Sequence, residues 1–311
     1  MLEPIQKRRV ILFVVITFVI AWLIALIIYA TGGLTNSPMV IETLNMKLST
    51  LLLSLGVMTA PAVSNILTRV ITHEGKQELW LKPFRQKRAG RYWLASWLLP
   101  AVLILLGMVV FFVVYPNYYD SGSQTLMELA KTQQTGITLS PSLILMISLV
   151  QGLILAPFLN GLFTFGEEFG WRGYLLPKLL PLGGRKAALV SGAIWGVWHA
   201  PMIAMGHNYG VDYAGYPWLG IGMMILFCVL FGVFMAWITL KEGSVWPAVV
   251  AHAVLNGVAA FPVMLTLGEP NPILGPFLMG AVAGIPLLLL AVMLLWLPNA
   301  LKQGELRPYA D

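Results

Sequence analysis

Cysteine is almost absent from this chain: the single Cys228 sits inside an apolar run, so no intrachain disulfide and no cysteine metal cluster can form. Charge is scarce as well. Only 10% of the 311 residues are Asp, Glu, Lys or Arg while 58% are hydrophobic, whereas a soluble domain carries about a quarter charged residues. The solvent for this fold is therefore lipid. Several catalytic signatures are missing too: there is no G-x-S-x-G for a serine nucleophile, no H-E-x-x-H zinc helix and no presenilin-type Gly-x-Gly-Asp. Gly183-Gly184-Arg185-Lys186 lacks the spacing of a phosphate-binding P-loop. The net charge of +6 arises from cations that fall between apolar segments and form no soluble basic face, so a nucleic-acid partner is not expected.

What the chain has is long apolar runs. A span needs about 20 mostly apolar residues to cross a hydrocarbon core of about 30 Å, and eight segments qualify: 10–30, 48–71, 93–115, 143–176, 187–205, 218–240, 245–263 and 276–297. The first is too long for the core of a secretory signal, about 7 to 15 residues, and is read as an anchor. The expected fold is all-α: one integral membrane domain over residues 1–311, a bundle of about eight transmembrane helices around an intramembrane polar site. The fourth segment exceeds one straight span, which predicts a tilted helix or two pieces broken near Pro157 or Gly161. The long connection from Pro116 to Pro141 is expected to form a small cap.

The cations orient this bundle. With the N-terminus inside, one side receives Lys7, Arg8, Arg9, Arg69, Lys76, Lys82, Arg85, Lys87, Arg88, Arg91, Lys178, Arg185, Lys186, Lys241, Lys302 and Arg307, sixteen of the nineteen. The other side holds Lys47 and Lys131, and Arg172 lies within the fourth segment. Both termini are expected in the cytoplasm, and the membrane is expected to be a prokaryotic plasma membrane. The basic stretch from His73 to Tyr92, with Trp80, Leu81 and Phe84 among its cations, reads as a topology determinant snorkelling at anionic headgroups.

Charges at membrane depth cost roughly 2.5 to 3.5 kcal/mol each on insertion scales, so Glu167, Glu168, Arg172, His199 and His252 need an explanation. Glu168 and Arg172 stand i, i+4 on one helix face and can neutralise each other. Glu167 points about 100° away and is free to face another neighbour. Counted from the helix ends, Glu167, His199, His252 and Asn256 fall in one layer, roughly 10 to 18 Å below the cytoplasmic surface. His252 and Asn256 share a helix face. Gly166 with Gly170, and Gly192 with Gly196, form two small-residue faces, predicting that the helices of Glu167 and His199 pack closely on each other.

Two chemistries fit these side chains. Glu167 and an imidazole can polarise a water, with His252 and Asn256 offering donors to an oxyanion. Alternatively Glu167, His199 and His252 can hold a divalent metal such as zinc, which then activates the water. The residues leave both open, so a cofactor is either not required or is such a metal.

Glu167-Glu168-Phe-Gly-Trp-Arg172 followed by Gly173-Tyr174 resembles the E-E-x-x-x-R signature of the CPBP family, the CAAX-protease and bacteriocin-processing intramembrane endopeptidases. Trp195-Gly-Val-Trp-His199 looks like the family's F-x-x-x-H, and His252-Ala-Val-Leu-Asn256 like its H-x-x-x-N/D, in the same order over residues 150–260. The resemblance implies an intramembrane peptidase in which Glu167 with His199 activates water and His252 with Asn256 supports the tetrahedral oxyanion. Glu168 and Arg172 have supporting roles. Trp195 stands where the family usually has Phe, a change expected to alter only pocket shape. The implied partners are membrane lipid and a peptide or protein substrate, with CAAX-like and prenylated chains among the candidates. Two other functions compete: a non-catalytic scaffold or bacteriocin-immunity protein on the same fold, and a proton- or ion-coupled transporter. The second would carry discontinuous helices in two matching halves, and no such symmetry is visible.

Overall fold

The computed structural model describes residues 2–84, 89–132 and 139–304. Arg85, Lys87, Arg88 and Arg307 of the orientation argument lie outside the described residues. Six helices are long and apolar enough to cross a membrane: α1 (Pro4–Ala30), α2 (Leu48–Ile71), α3 (Ala89–Val114), α4 (Pro141–Leu182), α6 (Trp218–Glu242) and α7 (Trp246–Leu265). Two shorter ones, α5 (Gly184–Trp198) and α8 (Ile285–Trp296), have 15 and 12 residues. The expectation of eight spans is thus met at full length by six. Among the described residues, β structure amounts to a short hairpin, Met39–Ile41 with Met46–Lys47, and one isolated bridge.

Lipid as solvent explains which faces point inward. In α1 the buried positions Phe13, Thr17, Ala21, Ala25 and Ile28 recur every three or four residues, and most are small. Ile11, Val15, Val19, Leu23 and Ile27 stand exposed on the other side. Bulky apolar residues gain nothing from leaving lipid, so close contact rather than hydrophobicity selects the inner face. Over half of the apolar stretch of α6 is buried, and α6 packs against α5, α7 and α8 at the centre of the bundle.

The 42 residues of α4 would measure about 63 Å at 1.5 Å per residue, twice the hydrocarbon core. It is not broken at Pro157 or Gly161. Instead the helix widens into π-turns at Gln151–Leu155 and Trp171–Leu175. The first lies just before Pro157, whose missing N–H disturbs the bonding ladder of the preceding turn. The second directly follows the two glutamates, where such bulges are common at functional sites.

Proline and glycine also shorten α5 and α8. Pro201 cannot donate to the ladder, so α5 stops at Trp198 and a separate turn, Ala200–Ile203, follows. The freed Trp198 carbonyl accepts from the Trp22 indole at 3.2 Å. Residues 276–284, expected as the start of the last helix, are turns containing Pro276, Gly280 and Gly284. Gly107 of α3 lets this stretch in: a Cβ there would lie 2.2 Å from the Ala283 carbonyl oxygen. Irregular backbone at membrane depth survives only where protein or a cavity covers it, and Leu278 and Ala283 are buried here.

The helices alternate in direction, so the connections at residues 72–84, 183 and 243–245 share one end of the bundle with the start of α1 and the end of α8. Lys47 lies at the other end, where the Gln124–Thr132 helix caps the bundle and Thr125 Oγ1 donates to the Thr266 carbonyl at 2.9 Å. The basic connection does more than snorkel. Trp80 is buried, Val245 N–H donates to its carbonyl at 2.8 Å, and the Trp246 indole donates to Leu81 at 2.7 Å. Arg69 donates to the carbonyls of Gly75, Gln77 and Glu78 and fixes the connection from beneath. Glu74 is paired with Arg9 at 3.3 Å, Arg69 at 3.5 Å and Lys178, and accepts from Tyr174 at 3.0 Å. Burial pushes the Glu74 carboxyl up, but its Lys178 hydrogen bond and the nearby Lys178 and Arg69 charges outweigh burial and hold it below the usual carboxylate range.

Candidate functional site

Helices α4, α5 and α7 carry the three motifs to one place. Thr164 Oγ1 donates to the Val249 carbonyl at 3.2 Å and Asn160 to the Ala253 carbonyl at 3.4 Å, setting the register between α4 and α7. Gly152 and Gly257 approach within van der Waals contact: a Cβ on Gly257 would lie 2.3 Å from that of Ala156.

The two small-residue faces do not meet each other as the sequence predicts. A Cβ on Gly166 would reach the Met58 carbonyl oxygen at 2.8 Å, and one on Gly170 would reach Pro61 Cβ at 2.3 Å, so this face receives α2. Gly192 and Gly196 instead face Val229 and Ile225 of α6, at 2.8 and 2.5 Å from their Cα atoms. Each glycine pair permits a close approach, but spacing alone does not say which helix makes it.

A link between α4 and α5 is Trp195, a side chain that the sequence reading expected to alter only pocket shape. The Trp195 indole N–H donates to Glu167 Oε2 at 2.9 Å, which the family's Phe cannot do. The Trp195 ring also lies under the Arg172 guanidinium, 4.2 Å from its centroid, and edge-on to His199 and His252. A tryptophan at an otherwise phenylalanine position was the available signal, since a buried indole N–H needs an acceptor.

Glu168 is fully buried and is a hub rather than only the partner of Arg172. Its carboxylate pairs with Arg172 at 2.9 Å, and Oε1 lies 2.8 Å from His252 Nδ1. That contact makes Nδ1 a donor and leaves Nε2 as the outer nitrogen. His199 Nδ1 faces the Trp195 carbonyl at 2.9 Å, which likewise fixes Nδ1–H as the donor and leaves Nε2 with the lone pair. Cys228 Sγ is 3.8 Å from the same nitrogen.

Glu167, His199, His252 and Asn256 all line one cavity of about 510 Å³. Glu167 and His252 are buried, His199 is half-buried and Asn256 is exposed, while Glu168 and Arg172 lie behind the wall. His207 and Asn208, which the sequence reading did not single out, line the same cavity. Three of the four histidines in the chain therefore share it. Among the described residues, no group of three or more His, Cys, Asp or Glu side chains is gathered closely enough to hold a metal ion. The donor set Glu167, His199 and His252 therefore does not fit a three-ligand zinc arrangement.

Residues 141–258 match the family model of the Rce1-like type II CAAX prenyl endopeptidases. The chain is also 29% identical over 93 residues to CAAX prenyl protease 2 of Methanococcus maripaludis, a match spanning 29% of this chain and 34% of that relative. The matched segment runs from the start of α4 to the last turn of regular α-helix in α7, and so contains all six residues singled out above. The family that the three motifs resemble and the family that residues 141–258 match are the same.

Proposed function

We propose that this protein is an intramembrane endopeptidase that hydrolyses an amide with a water activated between Glu167 and His199. The observation that carries this reading is the convergence of Glu167, His199, His252 and Asn256 on one cavity at membrane depth. Trp195 occupies Glu167 Oε2, so Oε1 is the oxygen that takes the proton from water. His199 presents Nε2 to the same water because its Nδ1 is committed to a carbonyl. His252, held against Glu168, can carry a second proton on Nε2, and that N–H together with the Asn256 amide stabilises the oxyanion. Collapse of the tetrahedral carbon then returns the proton from Glu167 to the leaving amine.

The relative's name makes prenylated CAAX peptides the first substrates to try, and a membrane orientation with both termini in the cytoplasm is part of the same proposal. Purified protein incubated with prenylated and unprenylated peptides, with and without a chelator, tests it. Cleavage that survives chelation fits the water mechanism. Absence of cleavage of either peptide, by protein that remains folded, contradicts the CAAX assignment.

A further inference from the structure

We propose that the groove between the start of α1 and the end of α2 binds an anionic phospholipid, with Lys7 and Arg8 on its phosphate and Ile11, Leu12, Val15 and Ile71 along its acyl chain. The groove holds about 510 Å³ and is bounded by those side chains and Pro4. It shares no residue with the cavity around Glu167, so the proposal stands apart from the peptidase reading.

The stripe that forms the first wall follows from helical spacing. Positions 7, 11 and 15 repeat at i, i+4, as do 8 and 12, so both cations share one face of α1 with the apolar side chains that follow them. Val15 lies about 12 Å along the helix from Lys7 at 1.5 Å per residue. Phe13 and Thr17 belong to the other side of α1 and are buried in the bundle. Ile71, the last residue of α2, supplies the second wall. Ile11, Val15 and Ile71 are all exposed in the protein alone. A lipid tail covers such a surface without loss, while the cations remain at headgroup level.

Charge selects the headgroup. Arg9, the third cation of the run, is taken by Glu74 at 3.3 Å and donates to Thr72 Oγ1 at 3.3 Å. Glu74 also pairs with Arg69 and Lys178, so one carboxylate answers three cations and has no charge to spare. Among the described residues, the side chains of Lys7 and Arg8 have no hydrogen bond or ion pair. Two unpaired cations at the mouth of an apolar groove fit a headgroup of net negative charge, whereas the ammonium of a zwitterionic lipid would be repelled by them. The Arg8 guanidinium can grip two phosphate oxygens at once and Lys7 adds a compact charge. Basic pockets between transmembrane helices bind headgroups of this kind.

Native mass spectrometry of the full chain tests the site, using detergent micelles doped with phosphatidylglycerol or with phosphatidylcholine of the same acyl chains. The parent should retain one phosphatidylglycerol under activation that strips phosphatidylcholine. Lys7→Gln with Arg8→Gln should bind it about thirtyfold more weakly, the effect of two cations each at the value typical near an anionic surface. Arg185→Gln with Lys186→Gln removes the same charge elsewhere at the same end and should bind like the parent. Val15→Trp fills the groove without changing charge and should also lose the lipid. The replaced side chains are exposed, so every variant should melt like the parent in undoped detergent. A parent that retains no phosphatidylglycerol, or holds phosphatidylcholine as firmly, overturns the proposal. Equal weakening by the two double variants, or a Val15→Trp that binds like the parent, overturns it as well.

Discussion

Replacing Glu168 with Gln separates the two duties of the buried hub. The side chain is 0% exposed, pairs with Arg172 at 2.9 Å and contacts His252 Nδ1 at 2.8 Å. Breaking a buried ion pair by removing one partner costs about 3 to 5 kcal/mol, because the remaining charge stays uncompensated. Arg172 keeps its place over the Trp195 ring, a desolvated cation–π contact of about 2 kcal/mol. The net loss for Glu168→Gln should then lie near the lower end, about 3 kcal/mol, measured as a lowered thermal midpoint in detergent. Adding Arg172→Met removes the stranded charge and should recover most of that stability. Activity should not return, because His252 still lacks the carboxylate that holds its ring. A double variant that regains turnover along with stability would refute the positioning role. A single variant as stable as the parent would refute the hub.

Trp195→Phe should lower kcat by about tenfold to a hundredfold with little change in KM, the value of a hydrogen bond to a charged acceptor of about 1.5 to 3 kcal/mol; steady-state kinetics decide it. Gly196→Ala should destabilise the bundle by about 1 to 3 kcal/mol through overpacking, since its Cβ would meet Ile225 Cα at 2.5 Å, whereas Gly222→Ala, with nothing within 4 Å, should melt like the parent. Glu74 is held below its ordinary value, so its contribution to stability is complete above the unfolded carboxyl's pKa of about 4.3 and is lost as pH falls through the lower folded value. Glu74→Gln should remove that part of the acid dependence in melting curves taken from pH 6 downward.

The sequence exposed those parts of this architecture that depend on local pattern. Apolar runs located the six long helices, because lipid demands length and composition from each segment separately, whereas two of the eight expected spans are shorter helices. The i, i+4 spacing of Glu168 and Arg172 announced their pairing because one helix fixes it. What stayed hidden depends on which helix meets which. Gly170 and Gly196 read alike as permissive glycines, yet one receives Pro61 and the other Ile225. His252 was legible as a site residue, but its carboxylate partner lies 84 positions earlier and is Glu168, which the sequence reading had assigned to Arg172. Residues 276–284 are apolar enough for a helix, and only their glycines and proline hint at the turns found there. Trp195 was read for its ring, whereas its indole N–H ties α5 to Glu167.

The central claim is that Glu167 takes a proton from water, and Glu167→Gln tests it most directly. Glutamine has nearly the same shape and can still accept from the Trp195 indole through its amide oxygen, but it cannot act as a base. Turnover of a peptide that the parent cleaves should be measured beside the thermal midpoint of both proteins. The expected result is a folded variant with its midpoint kept and no detectable cleavage; cleavage at the parental rate would contradict the mechanism.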